Sequence, residues 1–308
     1  MKIAHVLLLF LLSFLWGPSF FFIKIALESF NPFLIVNLRL ILGFLVLLTL
    51  LFLKKQPIFR WARYSLHFLV MGLIACAIPW TFLCFAEQKV SSAIAGIINS
   101  AIPIVTFILA HYFLDHEKIS KQKFIGLIIG ISGVILIFIP SMFQSFGAHL
   151  IGFFYLSIST VCSASAMIYA RKHLTHIPSL VSPIYQLFYA SIIMLPFSWK
   201  FTDFAKFSSP TLGAIVSVMI LGVLGTGLAF YIYYYLINHV GATYTSTTSL
   251  LIPLIAIFFG VVFLGEKLYW TSYLGCLLII ISLMITNSLI SAKLIKQMFT
   301  NNEKIDGS

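Results

Sequence analysis

Apolar runs of about twenty residues, the length of one helical bilayer crossing, alternate with short polar interruptions along the chain. The pattern predicts helices at 3–23, 32–53, 66–86, 91–114, 122–140, 149–170, 180–199, 211–237, 242–264 and 270–290. Breakers fall at the predicted ends. Asn31-Pro32 opens the second helix, Gln56-Pro57 follows it, Pro140 closes the fifth, Pro178 precedes the seventh and Pro210 the eighth. The first run, Ile3 to Ile23, is longer than the apolar core of a secretion signal and lacks a small-residue cleavage ending. It reads as a first transmembrane helix.

One stretch occurs twice. VSSAIAGIINSAIPIVTFILAHYFLDHEK at 90–118 returns as VGATYTSTTSLLIPLIAIFFGVVFLGEK at 240–267, each with a proline inside an apolar helix and a Glu-Lys ending. The echo is close over helices 3–5 against 8–10 and drifts over helices 1–2 against 6–7. Two halves of five helices each hold an odd number, so equivalent segments cross in opposite directions. The predicted fold is an all-α integral membrane protein of ten transmembrane helices in two inverted five-helix repeats. The repeats are residues 1–145 and 146–290, followed by a cytoplasmic tail at 291–308.

Composition strengthens this picture. Hydrophobic residues make up 61% of the chain and charged residues 9%, against about 25% charged in soluble domains; the mean hydropathy is +1.07. The net charge of +11 lies in short loops rather than in one stripe, so it signals topology and anionic headgroups, not nucleic acid. On the side of the N-terminus lie Lys2, Lys54, Lys55, Arg60, Arg63, Lys118, Lys121, Lys123, Arg171, Lys172, Lys293, Lys296 and Lys304. The other side has Lys24, Lys89, Lys200, Lys206 and Lys267. Positive residues favour the cytoplasm, so both termini are expected inside. Cys76, Cys84, Cys162 and Cys276 fall in apolar runs without CxxC spacing; free thiols are expected, with no disulfide and no metal site.

With these residues in place, the chain resembles the drug/metabolite transporter superfamily, EamA type. The resemblance rests on the paired pattern from Pro103 to Asp115-His116-Glu117-Lys118 and from Pro253 to Leu264-Gly265-Glu266-Lys267. It rests also on Trp16-Gly17, on Asn37-x-Arg39, and on Glu87-Gln88 followed by Ser91-Ser92 and Asn99. It covers residues 3 to 290. The resemblance implies a cavity between the halves, lined mainly by helices 1, 3, 4, 6, 8 and 9, and alternating access to it.

Several polar groups lie at membrane depth. Asn99 and Pro103 sit about 12 Å and 18 Å along helix 4, and Ser249 and Pro253 reach a similar level from the opposite face. Proline cannot donate to the carbonyl four residues back, so Pro103 frees that of Asn99 and Pro253 that of Ser249. A metabolite or neighbouring hydroxyls can complete those acceptors. Asn99 reads as a cavity-lining amide or a helix contact. Thr245 and Ser249 share a face of helix 9, as lining or as packing groups. Arg39, about 11 Å into helix 2, is the only formal charge well inside a span. It reads as an anchor for a substrate carboxylate, a partner of Glu87, or a snorkelling arginine. Glu87-Gln88 ends helix 3 at the outer face. Glu87 is a candidate proton-coupling carboxylate or a solvated turn, and Gln88 a candidate substrate contact. Trp16 and Trp80 are deep enough to stack on a substrate, and Tyr231 joins them on the family's cavity geometry. Glu117 and Glu266 read as structural, bonding the loop or capping the following helix.

Two patterns carry no chemistry. Gly222-Val-Leu-Gly225-Thr-Gly227 has the order GxxGxG inside a helix, which fits close packing rather than a nucleotide loop. His111 and His116 lack the spacing of a zinc helix. The expected function is a secondary carrier in a bacterial-type inner membrane, multi-pass and without cofactors, that exports a small metabolite such as an amino acid or derivative. Uptake or exchange is the alternative. A non-transporting membrane protein or an intramembrane enzyme is less favoured, since the eight acidic residues are scattered. The expected partners are a small-molecule substrate and the lipid bilayer; a homodimer is compatible but not required.

Overall fold

The computed structural model describes residues 3–55, 58–113, 121–144, 146–174, 176–202, 210–240 and 248–286. In order these form α1 (Ile3–Ala26), α2 (Pro32–Leu53), α3 (Trp61–Glu87), α4 (Ser92–Phe113), α5 (Lys121–Gln144), α6 (Phe146–His173), α7 (Val181–Phe201), α8 (Leu212–Leu236), α9 (Thr248–Leu264) and α10 (Trp270–Thr286). No strand occurs among the described residues. Seven of these helices, all but α5, α9 and α10, are long and apolar enough to cross a membrane. The other three carry shorter apolar stretches, Phe124–Ile137, Leu251–Leu264 and Trp270–Ile285.

Capping explains where helices begin. The Asn31 side chain accepts from the Leu34 N–H at 2.9 Å with Pro32 in the first turn, so α2 starts where predicted. Ser91 does the same for α4, accepting from the Ile94 N–H at 3.3 Å. Other boundaries move. Pro140 does not close α5: the helix runs through it to Gln144. A proline is absorbed where neighbouring turns re-satisfy the freed carbonyl. The residues predicted to begin helix 9, at 242–247, lie outside the described residues, as does the predicted tail.

Irregular turns concentrate on the elements that meet at the centre. α1 breaks between Ile3–Trp16 and Ser19–Ala26, at Gly17-Pro18. A Cβ on Gly17 would lie 2.5 Å from Ile255 Cγ2, so the glycine lets α1 cross α9 closely. α4 breaks between Ser92–Asn99 and Ile102–Phe113, at Ser100-Ala101, two residues before Pro103. There the Ala101 N–H bonds back only three residues, to Ile98 O at 2.9 Å. Its counterpart differs: α9 runs unbroken through Pro253. α3 and α8 each widen into a π-helical segment, Gly72–Ala77 and Val223–Leu228.

The two halves share one packing scheme. α4 packs on α9, α5 on α10 and α2 on α7. α3 packs on α6 and α7 as α8 packs on α1 and α2, and α4 packs on α6 as α9 packs on α1. α5 shows how the stripe is written. Phe124, Ile128, Ile131 and Ile135 are exposed, whereas Gly126, Gly130, Gly133 and Ile137 are buried. That buried stripe meets α10 backbone to backbone, with Ser282 Oγ donating to Gly126 O at 2.6 Å.

Candidate functional site

The π-helical segment of α8 draws three predicted residues together. Arg39 of α2 is 6% exposed; its Nε donates to Thr226 Oγ1 at 2.7 Å, and its guanidinium carbon stands 4.1 Å from the centre of the Trp80 ring. Thr226 Oγ1 in turn donates to Leu221 O at 2.9 Å, a carbonyl five residues back that the widened turn leaves within reach. Trp16 of α1 donates from Nε1 to Gly225 O in the same segment at 3.2 Å. A Cβ on Gly43, one turn after Arg39, would lie 2.9 Å from Thr226 Cβ, so glycine there makes room for the acceptor.

Arg39 is therefore neither a snorkelling arginine nor bonded to Glu87. It is a buried cation on an aromatic face, and Nε is its one hydrogen-bonded group among the described residues. The aromatic wall continues from Trp80 to Phe230 at 5.9 Å and from Trp16 to Tyr233 at 5.2 Å between ring centres. Gln186 of α7 closes the cluster, donating from Nε2 to Cys76 Sγ at 3.0 Å and accepting from the Tyr234 hydroxyl at 3.5 Å. A fixed cation on an indole ring, with further aromatic rings nearby, suits an anionic group attached to an apolar body.

The remaining predicted residues lie elsewhere. Asn99 is half-buried at the α4 break, and its side chain has no hydrogen-bond partner among the described residues. Tyr231 is turned away from the cluster, its hydroxyl bonded by Lys54 Nζ at 2.6 Å with the ammonium 4.5 Å from the ring centre. Gln88 is exposed after the end of α3. Thr245 lies outside the described residues, and Ser249 is placed only by its backbone in α9.

Glu87 is not a solvated turn. It is 0% exposed, and neither carboxylate oxygen has a hydrogen-bond partner. Lys24 of α1 stands beside it but donates to the main-chain carbonyls of Glu87 and Val90, the latter at 3.1 Å. Glu266 corrects another expectation. Its carboxylate accepts from the Ser92 N–H at 2.6 Å and the Ala93 N–H at 2.9 Å, so it caps α4 in the other half rather than the helix that follows it. Glu117 lies outside the described residues.

The EamA-like transporter family matches the chain twice, over residues 3–139 and 150–288. The chain belongs to that family. Among its relatives are the uncharacterized transporter YoaV of Bacillus subtilis and an uncharacterized transporter of Archaeoglobus fulgidus. The first is 24% identical over 267 residues, 87% of this chain and 91% of YoaV; the second is 26% identical over 270 residues, 88% and 94%. The uncharacterized inner membrane transporter YedA of Escherichia coli strain K12 is 24% identical over 281 residues, 90% and 88%. One solved crystal structure aligns with a TM-score of 0.65 at 16% identity, covering 94% of this chain and 98% of its own, a likeness of fold. This EamA-like chain is a multi-pass membrane protein.

Thr226, Gln186, Tyr234 and Lys24 were not singled out by sequence. The Gly222–Gly227 pattern did mark the spot: Gly222 and Gly227 lie against Leu42 and Val46 of α2. The hydroxyl between those glycines was the signal for a buried partner of Arg39.

Proposed function

We propose that this EamA-like protein is a secondary active transporter that exports a small metabolite, such as an amino acid or derivative, by alternating access to a site between its halves. In this reading all ten helices cross the membrane, with both termini in the cytoplasm and the inverted repeats at 1–145 and 146–290. The distribution of lysine and arginine supports that orientation. The 17 residues of α9 and of α10 rise about 25 Å, close to the hydrocarbon thickness.

The observation that carries the reading is Arg39 at the π-helical segment of α8. It joins α2 and α3 of one half to α8 of the other at a buried cation. The guanidinium N–H groups beyond Nε hold the substrate carboxylate, and Trp80, Phe230, Trp16 and Tyr233 flank its apolar part. Asn99, at the α4 break, supplies an amide to the same passage. Glu87 couples the carrier to protons. Uptake and exchange share this machinery and differ in the direction of net flux.

A thermal-shift screen of purified protein against amino acids and their derivatives tests the site, because a ligand stabilises the state it binds. At least one carboxylate-bearing compound is expected to raise the midpoint of the wild type, and Arg39→Gln to abolish the rise. An equal rise in Arg39→Gln would remove Arg39 from the site.

A further inference from the structure

Where the ends of α1 and α3 meet, a lysine and a carboxylate stand together without pairing. Lys24 Nζ holds the carbonyls of Glu87 and Val90, which end α3, and leaves the Glu87 carboxylate alone. A buried carboxylate with neither hydrogen bond nor ion pair is costly in its ionised form, so this arrangement suits the neutral acid. The ionised form has an obvious partner, since the ammonium already sits at the main chain of the same residue.

We propose that Lys24 is a two-position latch on the outer end of the carrier, set by the proton on Glu87. With Glu87 protonated, Lys24 ties α1 to the end of α3, the arrangement observed, and this tie closes the outer end in the proposed latch. When the carboxyl gives its proton to the outer water, the ammonium leaves the carbonyls for the carboxylate, and the ends of α1 and α3 are released. Closure reverses both moves and takes one proton from the outer water. Lys24 is thus a positioning residue for gating. The inference rests on the orientation and carrier reading above, and makes closure of the outer end proton-dependent.

Other charges face Glu87. Arg39 acts from α2, Glu266 from the α9–α10 connection, and the Cys84 thiol from its own helix. From α6 comes His149, three residues before Gly152, where an added Cβ would touch Lys89 and Val90. Its buried Nδ1 has no partner among the described residues. His149 is therefore tested separately.

Hydrogen–deuterium exchange of the full chain in proteoliposomes reads the latch through the amides at 86–91. Rates are compared at about pH 5 and about pH 8 after correction for intrinsic chemistry. In the wild type, corrected exchange is expected to rise at least about tenfold with pH, the minimum for one proton over more than one unit. Glu87→Gln should stay protected at both values, Lys24→Met should exchange freely at both, and Lys24→Arg should restore the pH response. His149→Gln should behave as the wild type. A pH response that persists in Glu87→Gln, or that moves to His149, overturns the proposal. So does a Lys24→Met protein with wild-type protection; if that variant does not fold, Lys24→Arg and Glu87→Gln decide. Counterflow of radiolabelled amino acids in the same vesicles separates the two readings. No flux with a pH-dependent end removes the carrier and keeps the latch, whereas flux with a pH-independent end removes the latch alone.

Discussion

Replacing Glu266 with glutamine probes the contact that ties the α9–α10 connection to the start of α4. The carboxylate presents one oxygen to each of two main-chain N–H groups, at 2.6 and 2.9 Å. Glutamine keeps one acceptor and turns a donor toward the other N–H, which Ser91 cannot rescue because its Oγ already serves Ile94. One hydrogen bond to a charged group contributes about 1.5–3 kcal/mol, and a carboxylate at a helix N-terminus adds about 0.3–1 kcal/mol. The expected loss is about 2 kcal/mol, or an increase of roughly 30-fold in opening of the first turn of α4. Gly260→Ala should act in the same direction, since its Cβ would press on Glu266 Oε2 and lie 3.0 Å from Ala93 Cβ. Lys267→Gln, changing an exposed neighbour, should not. Amide exchange at 92–95, read by mass spectrometry, measures this locally, and the thermal midpoint measures it globally. Unchanged exchange at Ser92 and Ala93 in Glu266→Gln would refute the capping role.

Gly133→Val should destabilise the protein by about 1–3 kcal/mol, because its Cβ would lie 2.8 Å from Gly275 O and 3.0 Å from Leu278 Cβ. The thermal midpoint read by size exclusion checks this, with Ser132→Ala on the exposed side as control. Trp16→Phe keeps a ring near Tyr233 but leaves Gly225 O without its indole donor. It should cost about 1–3 kcal/mol in thermal or denaturant unfolding.

Local signals explain what could be read in advance. α2 begins at Pro32 as predicted because Asn31 and Pro32 carry its cap within the sequence itself. The apolar runs placed the helices, seven of them long and apolar enough to cross a membrane, and the two Glu-Lys endings exposed the duplication. Pro140 misled because a proline marks a helix end only where nothing else holds the turn. Long-range pairing was hidden. That Glu266 reaches across to α4, that Arg39 bonds Thr226 rather than Glu87, and that Lys24 takes main-chain carbonyls all depend on which helices are neighbours. The π-helical segments were equally illegible, since an extra residue in a turn leaves the apolar period nearly unchanged. Trp16 bonds the α8 segment and Trp80 lies under Arg39, whereas Tyr231 meets Lys54, because depth does not specify a helix face.

Saturable counterflow by the wild type and Arg39→Gln in proteoliposomes tests the central claim most directly. Unlabelled amino acids or derivatives from the thermal screen are loaded inside, and trace label is added outside. The carrier account predicts transient accumulation of label above equilibrium in the wild type, suppressed at least about tenfold in Arg39→Gln, the equivalent of about 1.4 kcal/mol of lost binding. Accumulation of equal size in both proteins, or none in the wild type with a compound that stabilises it, would contradict the account.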